Sequence, residues 1–111
     1  MLKCYSKKQI GARVRLWESI LNIDHNILSV VWNKAVTVLG YDQNKYRKDR
    51  CGAFIAWQEY GNRESNLGWE IDHIVPVSAG GSDYLSNLQP LHWQNNVSKG
   101  DGQLVCAISA R

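Results

Sequence analysis

The chain has 111 residues, 44% of them apolar and 21% charged, with a net charge of +3. That is the composition of a single compact globular domain, and it excludes a disordered or low-complexity chain. No apolar run approaches the roughly 20 residues that span a bilayer, and no apolar signal core opens the chain, so a cytoplasmic protein without a membrane partner is expected.

Ser6 and Gln9 have the spacing of a capping box, in which each side chain satisfies an orphan helical N–H. Ile10, Val14, Trp17 and Leu21 follow as one helical stripe, predicting a helix over about 7–21. Asp24 to Asn26 reads as a turn and a new N-cap. Leu28, Val31, Trp32, Ala35, Val36 and Leu39 predict a second helix ended by Gly40, with strand left as the alternative by the β-branched residues. Tyr41 to Arg50 is a polar, basic connection.

Ala53 to Trp57 predicts a short strand, and Gly61 to Gly68 a loop or hairpin. Trp69 to Val75 predicts a second strand stopped by Pro76. A loop over 78–86 contains Gly80 and Gly81. Asn87 to Gln89 predicts a brief return strand, and Pro90 suits the first turn of a helix closing near Lys99. The order predicts an α+β fold: a helical region at 1–44 packed on a strand–strand–helix core at 45–111, in one compact domain.

Cys4, Cys51 and Cys106 are odd in number and far apart, giving neither a disulfide framework nor a C-x-x-C zinc pair. Lys3, Lys7, Lys8, Arg13 and Arg15 precede the first acid, and Lys45, Arg47, Lys48 and Arg50 surround Asp49. Such clusters hold phosphate backbones, and they equally form solvated helix faces.

The chemistry concentrates in the C-terminal half. His73 offers a proton acceptor with a reference pKa near neutrality. Asp72 and Asn96 offer hard oxygen donors, which favour Mg²⁺ or Mn²⁺ over zinc and leave room for water and a phosphate. Lys99 is three residues beyond Asn96, on the same helical face, within reach of a phosphate oxygen. Alternation in a regular strand points Asp72 and His73 to opposite faces, so a shared phosphate requires the strand to bulge or end there. Glu70 falls on the Asp72 side, where it either supports a metal or an Arg or is a solvated strand residue.

His73, Asn87 and Asn96 are spaced by 14 and 9 positions. With Pro76, Gly80-Gly81, Leu88 and Lys99, they resemble the one-metal site of the HNH (ββα-metal) endonucleases over residues 69–101, with similarity upstream through 47–55. The His-Asn-Asn form resembles the nuclease domain of CRISPR effector nucleases and of phage junction-resolving endonucleases, which use Mg²⁺. The resemblance implies a phosphodiesterase acting on DNA, with His73 as general base and Asp72 and Asn96 on one Mg²⁺, for which Mn²⁺ substitutes. It implies that Asn87 steadies the ββα loop and orients His73. Lys99, Arg47, Lys48, Arg50 and Arg63 are the candidate nucleic-acid contacts. A phage or bacterial-defence setting fits such a protein.

Many members carry two C-x-x-C pairs around a structural zinc. Here one pair's positions are His92 and Asn95, so no structural zinc is expected, and an aromatic core of Trp57, Trp69 and Trp93 is expected in its place. His92 reads as a packed or surface histidine. A catalytically silent nucleic-acid-binding module, a homodimer, or a subunit of a larger nuclease assembly stay open as alternatives.

Overall fold

The computed structural model describes residues 25–109. The helix expected over 7–21 lies outside them. The described elements are α1 (His25–Trp32), a small sheet of β1 (Tyr46–Lys48) and β2 (Phe54–Ala56), a hairpin of β3 (Trp69–His73) and β4 (Leu88–His92), and α2 (Trp93–Lys99). Both sheets are antiparallel pairs, so the α+β class is observed. Among the described residues, no helix is long and apolar enough to cross a membrane.

The second helix is shorter than its apolar stripe predicts, ending at Trp32 instead of Gly40. Two contacts draw the chain out of the helix. Val36 exchanges backbone hydrogen bonds with Lys48 in both directions at 2.8 Å, and Arg47 takes the carbonyls of Asn33, Ala35 and Gln43. The β-branched residues there therefore follow their alternative preference, and Leu39, an expected stripe member, is fully exposed. Pairing with β2 makes β1 a strand inside what reads as a polar connection. Two of its three side chains, Arg47 and Lys48, are charged, so no apolar alternation marks it.

The hairpin is a regular ladder from Trp69↔His92 to His73↔Leu88. Pro90 sits within β4 instead of opening the helix. Ile74 donates to Asn87 O and Trp93 to Gly68 O, so alternation makes Ile71↔Pro90 a pair without hydrogen bonds, where the missing proline N–H costs nothing. The helix starts three residues later, where His92 caps it by accepting from Gln94 N through Nδ1.

Every residue of β3 and β4 is buried, because helices cover both faces. On one face Trp69, Ile71 and Leu88 pack with Val31, Trp32, Ala35 and Ile55. The expected aromatic core is corrected in one member. Trp32, Trp57, Trp69 and Tyr60 form it, with ring centroids 4.9–6.1 Å apart. Trp93 instead stacks on His92 and donates to Ser65 O. The other face carries Glu70 and Asp72 toward α2.

The β1–β2 turn is tied to the β4–α2 junction by one buried carboxylate. Asp49 Oδ1 accepts from Cys51 N and Ala53 N, while Oδ2 accepts from His92 N and the Asn95 side chain, all at 2.9–3.0 Å. His92 is fully buried, its Nε2 donating to Asn66 O at 2.7 Å.

A disulfide joins Cys51 and Cys106, where the spacing of the cysteines gave no disulfide framework. They are 55 residues apart in sequence and meet because the C-terminal tail returns to α2, where Asn95 and Ile108 exchange two hydrogen bonds.

Candidate active site

Residue alternation places Glu70 and Asp72 on one face of β3, and the helical i, i+3 relation places Asn96 and Lys99 on one face of α2. The two faces meet. Asn96 Nδ2 donates to Glu70 Oε1 at 2.7 Å, and Lys99 Nζ stands 3.4 Å from Asp72 Oδ2. Lys99 also donates to the backbone carbonyl of His73 at 3.0 Å, tying helix to strand end. Gln89, directly across the ladder from Asp72, donates to Oδ2 at 2.9 Å, and Arg50 reaches Gln89 Oε1 at 3.5 Å. Asp72, His73 and Asn96 are fully buried.

The strand ends at His73 without a bulge, so its backbone carbonyl is tied to Lys99 of α2 while its ring is engaged by the loop beyond. Beyond it the chain makes a tight loop, and its Asp83 places Oδ1 2.7 Å from His73 Nε2. Asn87 holds this loop closed. Its Oδ1 accepts from Val75 N, and its Nδ2 donates to Val75 O and Ser82 O. Gly80 adopts a φ of +91°, and a β-carbon on Gly81 would lie 1.8 Å from Val75 O. The glycine pair therefore provides a left-handed turn followed by close backbone passage.

Glu70 is not a solvated strand residue. It is 3% exposed, and Arg63 pairs with it through Nε and Nη2, the latter at 2.8 Å from Oε1. The other cationic candidates are spread out. Arg47 is buried under the turn after α1 and lies 5.8 Å over the Trp32 ring. Desolvation lowers its guanidinium pKa. Lys48 lies over Phe54. Arg50 is exposed on a cleft of about 320 Å³ shared with Lys34 and Gln89.

Sequence reasoning missed Asp49, Asp83 and Gln89. Gln89 becomes visible only once the register sets it opposite Asp72. Asp83 sits in a Gly/Ser-rich stretch that reads as turn, and Asp49 reads as the lone acid of a basic cluster.

Among the described residues, no three or more His, Cys, Asp or Glu side chains are grouped to hold a metal. The donors on the meeting faces are carboxylate and carboxamide oxygens, a hard set that suits a cation completing its shell with water.

Residues 49–102 match the HNH endonuclease family model. No curated protein and no solved structure matches the chain significantly. The matched segment builds the hairpin, its loop and α2, is similar to HNH endonuclease domains, and contains Glu70, Asp72, His73, Asp83, Asn87, Gln89, Asn96 and Lys99.

Proposed function

We propose that the protein is a metal-dependent endonuclease that hydrolyses DNA phosphodiester bonds with weak sequence preference. The observation that carries this is the meeting of Asp72 and the His73 strand end with Asn96 and Lys99, across one strand–helix contact. In this reading His73 takes the proton from the attacking water, and the Asp83 carboxylate holds its ring. Asp72 and Asn96 hold one Mg²⁺ or Mn²⁺. When bound, the cation supplies Lewis-acid charge for the phosphate and the leaving oxygen. Lys99 and Gln89 fix the Asp72 carboxylate. Asn87 acts through the loop, and Arg50 meets the phosphate backbone from the adjoining cleft.

Plasmid nicking by wild type and His73→Ala, with EDTA, Mg²⁺, Mn²⁺ and Zn²⁺ in parallel, tests this. Nicking that requires Mg²⁺ or Mn²⁺ and falls by at least about 10²-fold in the variant is expected. Equal behaviour of the two proteins under every metal would sink the reading.

The closed state of Asp72, His73 and Asn96 favours one second reading, a nucleic-acid-binding module without cleavage. Hydrolysis requires the site to open enough to admit one phosphate. DNA binding that survives chelation, with no cutting under any metal, decides for the second reading.

A further inference from the structure

We propose that Glu70, clamped by Arg63, is a positioning residue that turns the carboxamide of Asn96 so that its oxygen faces the metal position. The inference rests on the metal-site reading above. A carboxamide has an oxygen end and a nitrogen end of nearly equal shape, and only the oxygen end can hold a cation. Glu70 distinguishes the two orientations. An ionised carboxylate only accepts hydrogen bonds, so the group 2.7 Å from Oε1 is the Asn96 amide nitrogen, and the oxygen is turned away from Glu70.

Glu70 is itself fixed. The planar fork of Arg63 meets both of its oxygens, and both side chains are withdrawn from solvent, with 10% and 4% exposure. This clamp also separates Glu70 from a direct ligand role. Its charge is already matched by the guanidinium, and a cation there would displace or repel Arg63. Asp72, two residues along the same face, meets Lys99 and the neutral Gln89 instead.

The test is Mn²⁺ titration calorimetry on the full chain, in a double-mutant cycle of E70Q with N96D. A carboxylate at position 96 has two equivalent oxygens and needs no orienting, and it places like charge against Glu70. E70Q is therefore expected to weaken Mn²⁺ binding by about 10-fold or more in the Asn96 background. It is expected to leave binding unchanged or tighter in the N96D background. Equal weakening in both backgrounds would show Glu70 acting as a ligand or through bulk charge, and would overturn the proposal. No weakening in the Asn96 background would overturn it too. Wild-type protein that takes up no Mn²⁺ removes the metal-site reading itself, a different failure from loss of the cycle's sign change. Near-UV circular dichroism checks the packing of each variant. If E70Q does not fold, R63K carries the test, because it keeps one charge but loses the fork. R63K is expected to weaken Mn²⁺ binding in the same direction, and unchanged affinity would overturn the proposal.

Discussion

The carboxylate of Asp83 lies 2.7 Å from Nε2 of His73, ten positions back along the chain. A carboxylate at this distance fixes the ring's orientation and its tautomer. Asp83→Ala is expected to lower the nicking rate by about 10- to 100-fold, less than removal of a whole base. DNA affinity in EDTA, measured by fluorescence anisotropy, is expected to stay within about twofold of wild type, since exposed charges act mainly through salt-screened attraction. An unchanged nicking rate would sever Asp83 from the site.

Asn87 makes three hydrogen bonds that close the loop between β3 and β4, two of them with Val75. At about 1 kcal/mol net each, Asn87→Ala is expected to cost roughly 2–3 kcal/mol in urea unfolding. Asn87→Asp keeps the acceptor for Val75 N and loses both donors, so its cost should be intermediate or larger, depending on the repulsion between its charge and the two carbonyls. A variant as stable as wild type would show that the loop is held elsewhere.

The glycine pair should separate by mechanism. Gly80→Ala meets no atom within 4 Å and incurs only the left-handed backbone penalty, about 1–2 kcal/mol. Gly81→Ala drives a β-carbon to 1.8 Å from Val75 O and 2.6 Å from Val75 C, contacts that only backbone movement relieves. It is expected to cost more than about 3 kcal/mol by chemical denaturation, in the tail of single substitutions. Equal costs at the two positions would contradict the geometry.

The Cys51–Cys106 bond closes 55 residues, for which chain-entropy arguments give up to about 4 kcal/mol of stabilisation. Unfolding of wild type with and without reductant, beside Cys106→Ser, measures it. The oxidised wild type should be more stable, and reductant should leave the variant unaffected. Identical midpoints for all samples would mean that the cysteines are not joined in solution.

The hairpin and closing helix were legible because their signals are local. Trp69 to Val75 is a continuous apolar-flanked run, Pro76 stops it, and Asn96 and Lys99 share a helical face. Pro90 misled, since its preference for a first helical turn competes with its tolerance at a ladder position lacking hydrogen bonds, and only register decides between them. Val36 misled for a similar reason. Its place in an apolar stripe implied helix, but pairing with Lys48 drew the backbone outward. Asp72, His73, Asn87 and Asn96 stood out by joint spacing. Asp83 and Gln89 did not, because each acquires its role from one partner brought by the fold: His73 and Asp72.

Asp49 fastens the β1–β2 turn to the start of α2 with four hydrogen bonds from a single side chain. A joint of this kind is made of the chain's own groups. Architecture and chemistry then respond to different reagents. A chelator should silence cleavage while leaving the thermal melting curve in place, whereas Asp49→Ala, which strands four donors, should lower the melting temperature before any metal is withdrawn. On the metal-dependent reading proposed above, the protein would pass through metal starvation as a folded, idle domain and resume work when the cation returns.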